Sequence, residues 1–131
     1  MKIKIPTIAR VLLGLIYFVF GLNGFLNFIP PQPLPEAAMA FFAGLASSGY
    51  FIPVLAATQV ISGLLLLIGF VAPLALVILA PVTLQIVLFH IFLTPGLQNL
   101  ILPLFMVILH ITAASVYWQI YRPLFSKGQT K

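Results

Sequence analysis

The sequence predicts an all-α fold: an integral membrane four-helix bundle with a short interfacial helix between spans one and two. Three observations predict it. Hydrophobic residues make up 63% of the 131 positions and charged residues 5%, whereas a soluble domain carries about 25% charged residues. All six Lys and Arg residues lie near the chain ends: Lys2, Lys4 and Arg10 at one, Arg122, Lys127 and Lys131 at the other. Between them run four apolar stretches of membrane-spanning length, separated by breaks rich in proline or glycine.

This charge placement puts both termini in the cytoplasm by the positive-inside rule, which requires an even number of spans. The sole acid, Glu36, then falls in an outer loop. Basic residues so arranged mark membrane topology and not a nucleic-acid partner. The opening MKIKIP has no small-residue cleavage site, so the first helix is expected to serve as its own insertion signal. The length suits a single transmembrane domain, 1–131, with little mass outside the bilayer. The absence of cysteine excludes iron–sulfur clusters, c-type haem attachment and thiol relays.

The first span is expected over about 7–29, with Pro6 suited to a first helical turn. From Val11 to Ile29 it is uncharged, a run of about 28 Å against a bilayer core of about 30 Å. Gly14, Gly21 and Gly24 share one side of it with Arg10 and Tyr17. Small residues on one side let a second backbone approach, so these glycines are helix-packing candidates. They could serve either a homodimer or a neighbour within the bundle. Asn23 and Asn27, four apart, form a polar strip near the outer end.

The proline-rich segment 30–36, PPQPLPE, predicts an extended outer loop. A helix of about 36–48 follows, with Glu36 in its first turn and Gly49 at its end. It is too short to span. It reads either as a lid on the outer rim of the bundle or as a plain interfacial helix.

Span two is expected over about 50–69, with Gln59, Ser62 and Gly63 interrupting an aliphatic run. The short turn from Gly69 to Pro73 makes spans two and three an antiparallel hairpin. Span three runs over about 73–93, kinked at Pro81, with Gln85 and His90 beyond the kink. A second outer loop, 94–99, leads to span four at about 100–121, with Pro103 in its first turn and Tyr117, Trp118 and Tyr121 as an aromatic belt.

Five intramembrane polar residues are candidates for a ligand pocket: Asn23, Gln59, Gln85, His90 and His110. They fall in the outer half or middle of the membrane, and the inner half is aliphatic and aromatic. One reading is a polar pocket near the outside, with Asn23, Gln59 and His90 facing one cavity under the 36–48 helix. The other is a set of interhelical hydrogen bonds, each worth about 0.6 kcal/mol. A haem between His90 and His110 is disfavoured by their different depths and by the lack of a carboxylate to orient either imidazole. No metal site is expected, and no cofactor intrinsic to the chain. No acid–base pair exists for hydrolase or kinase chemistry, so no catalytic residue is named.

The ordered set ARVLLGLIYFVFGLNGF, a proline-rich loop, GYFIP, GLLLLIG, Phe89-His90 and YRPLF resembles the DoxX family over nearly the whole chain. The resemblance implies a small four-helix protein of the bacterial inner membrane. It implies an accessory or structural subunit of a membrane redox complex, with quinone as the implied ligand and redox proteins as partners. A membrane chaperone or a small-solute or lipid-binding transporter is the alternative. One departure matters. Where the family carries E-x-x-G-G-L in span two, this chain has Gln59-Val60-Ile61-Ser62-Gly63-Leu64. An amide can exchange hydrogen bonds but cannot release a proton as a carboxyl does.

Overall fold

The computed structural model describes residues 4–30 and 33–125. Lys2, the Pro31–Gln32 part of the proline loop, and the tail with Lys127 and Lys131 lie outside the described residues. Within them the chain forms α1 (Ile5–Leu26), α2 (Glu36–Ser47), α3 (Phe51–Ile68), α4 (Ala72–Phe92), α5 (Leu97–Ser115) and α6 (Trp118–Tyr121), then a 3-10 turn, Arg122–Phe125. No strand occurs among these residues. Helices α1, α3, α4 and α5 are long and apolar enough to cross a membrane.

The four long helices pack in a ring, α1 against α3, α3 against α4, α4 against α5, and α5 back against α1. Neighbours run antiparallel. Gly14 of α1 lies against Gly63 and Leu66 of α3, Gly21 against Val60, and Gly24 against Ala56, so one number rises as the other falls. The bundle therefore has a terminal end, holding the start of α1 and the finish of α5, and an opposite end, where α2 packs against α3 and Phe89 of α4. The core of Leu13, Tyr17, Leu66, Ala75, Leu76, Leu79, Leu109 and Ala113 is concentrated toward the terminal end.

Three boundaries differ from the sequence expectation by three residues or more. Helix α1 stops at Leu26, not 29, because Asn27 turns left-handed (φ 52°, ψ 45°), a conformation that Asn tolerates at a helix end. The Asn27 amide donates to the Asn23 carbonyl, and the Asn23 side-chain oxygen accepts the Ile29 N–H at 2.7 Å. Helix α5 begins at Leu97, which leaves Pro103 inside it and not in its first turn. It ends at Ser115, not 121. There the Ser115 hydroxyl donates to the Thr112 carbonyl at 2.7 Å, the kind of side-chain bond that competes with helix propagation. Beyond it, α6 is tied back by the Tyr121 hydroxyl, which donates to the Pro73 carbonyl at 2.7 Å.

The glycine face is used inside the bundle. A Cβ on Gly63 would lie 2.6 Å from the Phe18 backbone nitrogen, and one on Gly14 would lie 2.8 Å from the Gly63 carbonyl oxygen. Backbone meets backbone there, so the face expected to serve a homodimer or a neighbour serves α3. At the terminal end of the same interface, the Arg10 guanidinium donates to the Leu66 carbonyl. It thereby places a cation against the C-terminal turn of α3, where the helix dipole favours one.

Candidate functional site

Two polar assemblies lie between the helices. The first is a buried chain crossing the ring. The Tyr17 hydroxyl of α1 is hydrogen-bonded to the Thr83 hydroxyl of α4. Thr83 in turn meets His110 Nδ1 of α5 at 2.9 Å, and His110 Nε2 meets the Leu76 carbonyl at 2.9 Å. All three side chains are buried. A carbonyl can only accept, so the His110 proton sits on Nε2 and the lone pair of the neutral ring on Nδ1. Thr83 then donates to His110, and Tyr17 donates to Thr83. Every donor and acceptor of the chain has its partner, as burial demands.

The second assembly is a cavity of about 220 Å³ in the half of the bundle nearer α2. Its walls are Tyr17 and Phe20 of α1, Gln59 of α3, Ile86 and His90 of α4, and Leu102 and Met106 of α5. All four long helices contribute. His90 Nδ1 lies 2.7 Å from the Ile86 carbonyl, one turn earlier in its own helix. Its Nε2 and the Gln59 side-chain amide make no hydrogen bond among the described residues. Phe20 and Leu102 are 44% and 45% exposed, so the wall between α1 and α5 separates the cavity from the bundle's outer surface by one layer of side chains.

Of the five pocket candidates, the structure brings together Gln59 and His90 and separates the others. Asn23 does not join them, because its side-chain oxygen closes the end of α1 on Ile29. Gln85 is exposed on the outer face of α4. His110 belongs to the buried chain with Thr83. Helix α2 does not line the cavity. Its Phe41 and Phe42 rings stand 5.7 and 5.1 Å from Phe89, which in turn stands 5.3 Å from the His90 ring. It therefore packs behind the residue next to His90 and does not form the roof expected of a lid.

Thr83, Phe20, Ile86, Leu102 and Met106 were not singled out from the sequence. A threonine two residues past Pro81 is a weak signal, and an aliphatic residue lining a cavity looks like one lining a core. A larger hollow, about 430 Å³, lies at the terminal end against Trp118, Gln119, Arg122, Pro123 and Phe125. These residues come from one short surface segment and enclose nothing between helices, so the interhelical cavity is the candidate site.

The DoxX family model matches residues 5–94. The chain belongs to the DoxX family. No curated protein and no solved structure matches it. The family match spans α1 to α4 and thus includes Tyr17, Gln59, Thr83 and His90. It ends before α5, which supplies Leu102, Met106 and His110. This DoxX protein, with its four long apolar helices, is a multi-pass membrane protein whose helix surfaces face lipid. That solvent explains why Phe25, Ile61, Leu84 and Ile111 are at least half exposed on the bundle exterior. In hydrocarbon such side chains have no reason to be inside.

Proposed function

We propose that this DoxX protein is an accessory subunit of a quinone-linked redox complex in the bacterial inner membrane, and that the interhelical cavity seats the quinone headgroup. One observation carries the reading: Gln59 and His90 line one cavity, and the Gln59 amide and His90 Nε2 make no hydrogen bond among the described residues. A polar group without a partner is costly in an apolar surrounding. A ligand with polar atoms on an apolar ring would relieve both. The volume supports a headgroup alone, since pockets for drug-sized ligands run from about 300 to 1,000 Å³. The isoprenoid tail would leave past Phe20 and Leu102 into lipid, the same route by which a membrane-dissolved ligand would arrive. Lacking cysteine, the chain would rely on a partner's cofactor for electrons, hence an accessory role.

In this arrangement the α2 end faces the periplasm and both termini face the cytoplasm, because all basic residues lie near the two ends of the sequence. Single cysteines at Pro33 and Gln98 should label from outside in spheroplasts, and one at Lys131 should not. Labelling at Lys131 in sealed cells would reverse the orientation. The ligand reading is tested by equilibrium dialysis of a short-chain quinone against the purified protein. His90→Ala and Gln59→Leu should each weaken binding at least several-fold while the helical circular dichroism is retained. Binding equal to the parent in both variants would remove the cavity from consideration. Mild-detergent purification should also retain a redox protein; its reproducible absence would refute the accessory role.

A further inference from the structure

The two histidines hold their protons in opposite places, and the difference sets what the cavity can offer a ligand. His90 Nδ1 lies 2.7 Å from the Ile86 carbonyl oxygen. That oxygen can only accept, so the proton of the neutral ring sits on Nδ1 and the lone pair on Nε2. Tyr17, whose ring lines the same cavity, has no proton to give either. Its hydroxyl donates to Thr83, because Thr83 donates to His110 Nδ1 and His110 Nε2 donates to Leu76. Of the polar residues lining the cavity, Gln59 alone can donate, and it can also accept.

We infer that the cavity selects a headgroup that brings its own O–H donors, the dihydroxy (hydroquinone) form, over the oxidised dicarbonyl form. This rests on the quinone reading above. A hydroquinone can place one hydroxyl on His90 Nε2 and exchange a hydrogen bond with Gln59 through the other. An oxidised quinone has acceptors only. It gains the Gln59 N–H, but sets a carbonyl lone pair against the lone pair of Nε2. Hydrogen bonds between side chains in membranes are worth about 0.6 kcal/mol on average and about 1.7 at most. The preference for the hydroquinone should accordingly be about three- to twentyfold.

The experiment is anaerobic equilibrium dialysis of duroquinone and durohydroquinone against the full chain in lipid nanodiscs, paired with ¹⁵N spectra of the histidine-labelled protein. The expected result is tighter binding of the hydroquinone, with the ratio falling to about one in His90→Leu. The ¹⁵N spectra should show one ring protonated at Nδ1, lost in His90→Leu, and one protonated at Nε2, retained in it. Equal or tighter binding of the quinone overturns the inference and leaves the quinone pocket standing. Binding of neither form overturns the pocket itself. If His90→Leu fails to fold, the spectrum of the parent decides: two rings both protonated at Nε2 overturn the inference without any variant.

Discussion

Helix α1 has two packing sides and treats them in opposite ways. Toward α3 it presents Gly14, Gly21 and Gly24, and the two backbones touch. Toward α4 and α5 it presents Tyr17 and Phe20, and side chains hold the helices apart around a polar chain and a cavity. The first contact brings backbone against backbone, and the second encloses a cavity of about 220 Å³. In lipid, apolar area gives little reason for helices to associate, so close packing and hydrogen bonds must do it. One side of α1 uses the former and the other side the latter. A tight seam on one side can let the opposite side stay partly open without loss of the fold.

The largest effect should come from breaking the seam. Gly63→Leu would push a side chain into the Phe18 backbone, where no rotamer change can make room. Overpacking of this kind costs typically 1–3 kcal/mol and occasionally more, so we expect destabilisation of about 3 kcal/mol or loss of the folded state. Gly44→Leu should be close to neutral, since a Cβ at Gly44 meets nothing within 4 Å. Unfolding by SDS titration in mixed micelles compares the two. Equal effects would mean that the seam does not hold α1 to α3.

The polar side should be softer. Tyr17→Phe leaves Thr83 without its donor, and Thr83→Val removes the hydroxyl that serves both Tyr17 and His110. A double-mutant cycle should return a coupling of about 0.6–1.7 kcal/mol. Zero coupling would show that the buried chain contributes packing only.

A third comparison sharpens the difference between a polar residue with a partner and one without. Asn23→Leu removes the oxygen that takes the Ile29 N–H and should cost about 1 kcal/mol, the usual value of a lost helix-end bond. Gln59→Leu replaces an unpartnered amide with an apolar group and should be neutral or stabilising by up to about 1 kcal/mol. The same change should weaken ligand binding several-fold. A large loss of stability for Gln59→Leu would mark Gln59 as structural.

The smallest effect expected is at the α3–α4 turn. Val71 has φ 44° and ψ 38°, a left-handed conformation that costs an L-residue about 1–2 kcal/mol and fits a β-branched side chain poorly. Val71→Asn should raise stability by about 0.5–1 kcal/mol, read as a shift of the same SDS midpoint. A lowered midpoint would mean that the half-exposed Val71 side chain contributes more by contact than its backbone loses.

Element types were legible in the sequence because lipid imposes a simple rule. Every span must be a helix of about 20 apolar residues, and the six basic residues mark the ends. Helix α2 was legible from its proline boundary and Glu36. The glycine side of α1 was visible at helical spacing. Its partner was not, because three glycines look alike against a second copy or against α3. Helices α1 and α5 end at Leu26 and Ser115, short of the ends that hydropathy alone predicts. There, local side-chain bonds at Asn23 and Ser115 outrank hydropathy.

The candidate site divides in the same way. That Asn23, Gln59, Gln85, His90 and His110 are costly in hydrocarbon follows from residue type alone, and their depth follows from counting along a helix. Which of them face one another does not. Facing depends on the rotation of each helix about its axis and on the order of helices around the ring, and both are set by contacts between residues distant in sequence. Only the tertiary structure turned Gln85 outward, gave His110 to Thr83, bent Asn23 back onto its own helix end, and left the Gln59 amide and His90 Nε2 without a hydrogen-bond partner among the described residues. The sequence alone determined that polar groups would lie in the membrane. Packing decided which were satisfied by the chain itself and which were left for something else to satisfy.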